Sequence, residues 1–188
     1  MTPDRALLLA PGAGASRDHS TLVAIEEALE PVVTRRMDFP YRKAGRKSPD
    51  RPEVLVAAVR EEATALASDT ALAPDRLVLG GRSLGGRMCS MAVAEGLPAL
   101  GLALVSYPLH PPGRPERLRI DHFELIGVPC LFVAGTRDAF GTVEELDAAI
   151  GRIEAPVTTV WLEGGDHGLR RRDADVAEAV RDWVLGLP

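Results

Sequence analysis

Ser83 sits between two glycines in Gly81-Arg82-Ser83-Leu84-Gly85, a GxSxG pentapeptide preceded by the apolar run Leu77-Val78-Leu79-Gly80 and followed by a helical pattern. A serine hydroxyl is too weak an acid to attack a carbonyl unaided, so it needs a general base, which in turn needs a carboxylate to orient it. A serine exposed on a tight strand-to-helix turn also demands small residues two positions to either side, because crowding there leaves little room for side chains. In a chain with 18 glycines the pentapeptide alone is a weak signal. The strand before it and the helix after it make the signal stronger.

On a parallel sheet the partners should follow in the order Ser, Asp or Glu, His, each just past a later strand. Asp138 closes PCLFVAGTRD, and His167 lies in WLEGGDHGL, each directly after an apolar run. Ser83, Asp138 and His167 are therefore the candidate nucleophile, orienting acid and base. Asp166 adjoins His167, but chain neighbours usually point apart and it follows no earlier strand. Among the other histidines, His19 falls at a helix start and His122 in a short helical segment, positions that read as structural or solvated. His110, in Tyr107-Pro108-Leu109-His110-Pro111-Pro112, leaves the fourth strand at the functional edge and is a candidate pocket residue.

Acyl transfer also needs N–H donors aimed at the developing oxyanion. One is expected from the backbone of Leu84. The other is expected from the loop Pro11-Gly12-Ala13-Gly14-Ala15, with Ala13 as donor and Gly12 and Gly14 letting a substrate approach the backbone. That loop carries neither GxGxxG nor a P-loop GK[ST], which argues against nucleotide binding. A last candidate is the stretch Tyr41 to Arg51, with five basic residues against one acidic and both of the chain's lysines. Arg42 and Arg46 are expected there to attract an anionic substrate group, unless the loop is only a solvated surface.

These residues need a scaffold. Short apolar runs at Ala6 to Ala10, Val32 to Phe39, Arg76 to Gly80, Gly101 to Tyr107, Pro129 to Gly135 and Val157 to Glu163 read as strands. Helical periodicity marks Thr21 to Leu29, Pro52 to Leu66, Leu84 to Glu95, Val143 to Ile153 and Ala174 to Leu185. The alternation predicts one α/β domain over residues 1–188, with about six mostly parallel strands and helices on both faces. Pro40 to Arg51 and Pro108 to Asp121 lack periodicity and read as functional loops at the carboxyl ends of strands.

Length and charge narrow the function classes. The chain has 188 residues and a net charge of −5, with no global cationic field to hold nucleic acid or an anionic membrane. No stretch approaches the roughly 20 apolar residues of a membrane helix, and the N-terminal apolar run is too short for a secretory signal. Cys89 and Cys130 sit in apolar stretches, fitting buried free thiols in a reducing cytoplasm. No metal or organic cofactor is implied, and the expected partner is a small-molecule substrate.

APGAGA, FPYRKAGRKSPDRP, GGRSLGGR, SYPLHPPGRPERLR, AGTRDAFGT and GGDHGL resemble the short, lidless α/β-hydrolase-like proteins often labelled dienelactone-hydrolase-related, whose eukaryotic relatives include a subunit of a histone-acetyltransferase complex. The resemblance spans nearly the whole chain. It implies a trimmed α/β-hydrolase sheet lacking the two leading strands, with the triad on Ser83, Asp138 and His167. Two departures stand out: Pro11 where many relatives have histidine, and Ser83 where true dienelactone hydrolases use cysteine. The expected activity is serine hydrolysis of a small or accessible ester or thioester, and the alternative is a binding or scaffold protein that keeps the fold without turnover.

Overall fold

The computed structural model describes residues 4–188. Six strands form one sheet: β1 (Ala6–Ala10), β2 (Val33–Arg36), β3 (Leu77–Arg82), β4 (Gly101–Val105), β5 (Cys130–Gly135) and β6 (Val157–Leu162). They are all parallel, in the order β2-β1-β3-β4-β5-β6. The helices are α1 (Ser20–Leu29), α2 (Pro40–Lys43), α3 (Pro52–Thr70), α4 (Leu84–Ala94), α5 (Val143–Ile150) and α6 (Asp173–Gly186), with short 3-10 turns at Pro74–Arg76 and Phe123–Leu125. The expected architecture of parallel strands with helices on both faces is the one observed.

The continuous apolar runs conceal the strand period of two. Leu7, Leu9, Val78, Val105, Leu131 and Val133 pack with Leu22 and Ile25 of α1 and Val176 and Val180 of α6. Their alternates Leu8, Leu79, Leu104 and Phe132 point to the other face, against Val59 of α3, Met88 of α4 and Leu146 of α5. Both faces of every central strand are thus covered, which is why no polar alternation appears in the sequence.

Most boundaries shift by one to four residues from the sequence reading, and three of the differences have a clear physical cause. β2 is limited to Val33–Arg36, because Pro40 has no N–H for a ladder and instead starts the four-residue α2. The loop expected over Pro40 to Arg51 therefore opens with a helical turn, which buries Tyr41 and stacks it on Phe39 at 6.2 Å. α3 runs on to Thr70 and ends at Ala71, whose left-handed φ of 54° closes the helix.

The strand order places β1 between β2 and β3, so successive connections leave β1 in opposite directions. In open α/β sheets the crevice at such a switch point, beyond the carboxyl ends of the strands, is where ligands bind. Here that crevice lies between the loop after β1 and the turn after β3.

Candidate active site

The turn from β3 into α4 explains the glycines around Ser83. A Cβ on Gly81 or on Gly85 would stand 2.1 Å from the carbonyl oxygen of Ala10, so both positions exclude any larger residue. Ser83 itself takes φ 50° and ψ −115°, held there by its N–H donating to Val105 O at 2.8 Å. Such backbone strain costs on the order of 1–3 kcal/mol and persists only where the surroundings enforce it. The consequence is a hydroxyl lifted off the sheet edge at the start of α4.

Asp138 and His167 arrive on two loops that are tied to each other. Arg137 N–H donates to Gly165 O at 2.8 Å, and Gly164 N–H donates to Thr136 Oγ1 at 2.9 Å. Gly135 and Gly165 pass so closely that a Cβ on Gly135 would lie 2.2 Å from Gly165 O, which accounts for glycine in both AGTRD and GGDHG. Within this frame His167 Nδ1 lies 2.8 Å from Asp138 Oδ2, and His167 Nε2 lies 2.9 Å from Ser83 Oγ. A carboxylate only accepts, so Nδ1 carries the proton and Nε2 is free to accept from the serine hydroxyl. The other Asp138 oxygen accepts Phe140 N–H at 2.8 Å, and the Phe140 ring stacks on the imidazole at 3.9 Å. Asp166 is exposed, and the carboxylate against His167 is Asp138.

The cavity above Ser83 measures about 330 Å³ and opens to solvent. Gly12 and Ala13 come from the loop after β1, Arg82, Leu84 and Arg87 from the β3–α4 turn, Pro108 and Arg119 from the segment after β4, and Phe140 and His167 from the far side. Among the described residues no protein acceptor takes the N–H of Ala13 or of Leu84, the first residue of α4. Gly14 turns with φ 77° and is not on the wall. Larger hollows lie along β2, about 460 Å³, and between β6 and α6, about 570 Å³, but neither is lined by a serine or histidine.

Arg42, Arg46 and His110 are not among the wall residues. The basic loop instead turns its cations to carboxylates of its own surroundings, Lys43 to Glu62 and Arg46 to Asp50. His110 is 5% exposed, with Nδ1 at 2.8 Å from Pro111 O and Nε2 at 3.2 Å from Glu145 Oε2. Both ring nitrogens face acceptors, and the Pro111 carbonyl first, then Glu145, raises its pKa. His19 caps α1, accepting from Thr21 N–H. His122 holds Ser90 Oγ at 2.8 Å, and its pKa is pushed down to about 4 by burial and then by the charge of Arg87.

Arg82, Arg87, Arg119 and Phe140 carried no expectation from sequence. Arg87 had a readable signal, since it follows Ser83 by four residues and so shares its helix face. Arg119 had only its place in the functional loop Pro108 to Asp121, because its exact position depends on Tyr107 Oη donating to its carbonyl at 2.7 Å across that loop.

A serine, an imidazole and a carboxylate in one hydrogen-bonded line at the carboxyl edge of a doubly covered parallel sheet define the α/β-fold hydrolase class. Residues 3–183 match the alpha/beta hydrolase domain, and the chain belongs to that family. Solved structures share the fold. An alpha-beta serine hydrolase homologue from Coxiella burnetii matches at TM-score 0.79 and 17% identity, over 97% of this chain and 86% of that one. Est1E from Butyrivibrio proteoclasticus with ferulic acid bound matches at 0.80 and 17%, over 98% and 90%. Dienelactone hydrolase from Anabaena variabilis matches at 0.79 and 18%, over 98% and 87%. No helix among the described residues is long and apolar enough to cross a membrane.

Proposed function

We propose that this protein is a serine hydrolase that cleaves small or accessible esters or thioesters through an acyl-enzyme. The observation that carries the reading is the unbroken line Ser83 Oγ to His167 Nε2 to Asp138, with distances of 2.9 and 2.8 Å. His167 Nε2 takes the serine proton as Oγ attacks the carbonyl carbon. Asp138 holds the imidazolium that results, and Phe140 keeps the ring in plane. The N–H groups of Ala13 and Leu84 receive the oxyanion; a donor of this kind contributes about 3 kcal/mol in comparable enzymes. His167 then returns its proton to the leaving alkoxide or thiolate, and the same imidazole activates the water that releases the acid.

The cavity of about 330 Å³ lies near the lower bound of ligand sites and favours a short acyl group. Ferulic acid bound to Est1E supports a small organic substrate for this fold. Labelling with a neutral fluorophosphonate tests the assignment: rapid covalent modification at Ser83, lost in Ser83→Ala and His167→Ala, is expected. Folded protein that resists the probe would mean that the chain keeps the fold as a binding or scaffold protein.

A further inference from the structure

We propose that Arg87 and Arg119 form an anion subsite beside Ser83, so that the substrate of this hydrolase carries a carboxylate or phosphate on a short chain. The location of the scissile bond rests on the serine-hydrolase reading; the subsite itself rests on the two arginines.

Both guanidinium-bearing residues line the same cavity as Ser83 and His167. Several arginines outside the cavity pair even at the surface, as in Arg35 with Asp69, Arg36 with Glu26 and Arg152 with Glu124. Among the described residues Arg87 and Arg119 hold no carboxylate. Arg87 Nε is buried without a hydrogen-bond partner. The Arg119 side chain reaches only Pro108 O, at a long 3.4 Å.

The backbone that carries each arginine is fixed beside the cavity. Arg87 is fixed on α4, its N–H donating to Ser83 O at 3.1 Å. Arg119 is pinned on both sides of its backbone, its N–H to Leu109 O at 2.9 Å and its carbonyl to Tyr107 Oη at 2.7 Å. The third arginine of the wall differs. Arg82 donates to His167 O at 2.8 Å and feels the charges of Asp138, Asp166 and Asp173, so it is already engaged in the frame of the site.

The two cations act on their surroundings as uncompensated charge. Arg119 is held below its ordinary pKa by burial and then by Arg87, and the same Arg87 charge helps keep His122 neutral. Half-buried like charges without a counter-ion are costly, and an oxyanion with paired acceptors relieves both at once. Guanidinium forks suit carboxylate and phosphate geometry, which a lone ammonium does not. Because Arg87 and Arg119 line the same wall as Ser83 and His167, an anion that they hold lies close to the reacting carbonyl.

The test compares p-nitrophenyl hemiglutarate with p-nitrophenyl valerate, a neutral match in length, and follows fluorophosphonate labelling of Ser83 with glutarate or inorganic phosphate as competitor at constant ionic strength. Expected are a preference of roughly tenfold or more in kcat/KM for the anionic ester, the scale of one charge-assisted hydrogen bond, and protection of Ser83 by at least one anion. The anion that protects at lower concentration assigns the group as carboxylate or phosphate. The ratio of the two esters, taken within each variant, should fall toward one in Arg87→Met with Arg119→Met, and partly return in the double Lys variant. Labelling without protection or preference overturns the subsite and leaves the hydrolase reading intact. If nothing labels, the hydrolase reading falls, and calorimetric titration of glutarate and phosphate decides the subsite. Binding lost in Arg87→Met upholds it, and absence of binding to the wild type overturns it.

Discussion

Two basic regions of this protein invite the same reading and behave oppositely. The stretch Tyr41 to Arg51 holds five cations in eleven residues, while the cavity wall offers Arg87 and Arg119, far apart in sequence and inconspicuous. In the first, Lys43 and Arg46 are matched by Glu62 and Asp50, Lys47 and Arg51 stand in solvent, and Arg42, half-buried with its Nε unpartnered, lies off the wall of the Ser83 cavity. In the second, two half-buried guanidinium groups share a small cavity with no carboxylate partner. Density of charge along a chain therefore says little about where an anion will bind. What matters is charge that folding has removed from water and left without a partner.

The contrast breaks most sharply if chemistry does not lie on the cavity side at all. His167→Ala should lower kcat/KM for an activated aryl ester by three orders of magnitude or more, and Asp138→Asn by about 10⁴ through loss of the correct tautomer. Arg42→Ala with Arg46→Ala should leave the same rate unchanged, and steady-state kinetics on all three variants decide. If the basic-loop double variant falls as far as His167→Ala, the two regions have been assigned the wrong way round.

A finer test reads the uncompensated charge directly. Because Arg87, after burial, helps hold His122 down to about 4, Arg87→Met should raise the His122 pKa, visible in its imidazole NMR titration. An unmoved titration would mean that Arg87 is screened, and the two basic regions would then be alike.

The two histidines of the segment after β4 set limits on stability at either side of neutrality. His122 titrates near 6.5 when unfolded and at about 4 when folded, so the unfolded chain binds the extra proton between those values. Above pH 6.5 its burial carries no protonation penalty, and as pH falls from 6.5 to 4 the folded imidazole stays neutral while stability drops by up to about 1.4 kcal/mol per pH unit. His110 is raised, so its contribution is complete below pH 6.5 and disappears as pH rises through its folded value. Urea midpoints for wild type, His122→Gln and His110→Gln across pH 4 to 9 should separate the two. The wild-type advantage over His122→Gln shrinks on the acid side, and that over His110→Gln shrinks on the alkaline side.

The smallest effect belongs to the surface pairs. Arg46→Ala and Lys43→Ala should leave the thermal midpoint unchanged within error, since exposed ion pairs contribute little and are screened by salt.

The sheet was legible because β1, β3, β4 and β5 are apolar runs bounded by turns, as burial on both faces requires, and because β6, though a partly buried edge strand, keeps Val157, Val160, Trp161 and Leu162. β2 was the exception: Val33–Arg36 is polar and at the edge, and its neighbours Met37 and Phe39 leave the strand to enter the core. The four residues of α2 are too few to show a period. Ser83, Asp138 and His167 could be picked out because each follows a strand end. Arg42 and Arg46 drew attention through local charge density, which ignores that Asp50 folds back onto Arg46 and that Arg42 lies off the cavity wall. Beyond its place in the loop Pro108 to Asp121, Arg119 was invisible because the Tyr107 hydroxyl that fixes it is a tertiary contact.

One oxygen atom ties the wall of the cavity to a helix end. Glu145 Oε2 accepts Thr142 N–H at 2.8 Å as the capping box of α5 and also faces His110 Nε2 at 3.2 Å, while His110 N–H donates to Phe140 O at 3.0 Å. Fraying the first turn of α5 thus releases His110, and with it the backing of the ring that covers His167. Joined in this way, these places are expected to open as one unit, with amides that exchange with solvent together rather than piecemeal. A wall fastened in this way is ill suited to serve as a gate, because any excursion large enough to admit a substrate also dismantles the base. On the hydrolase reading proposed above, substrate enters a site that stays assembled.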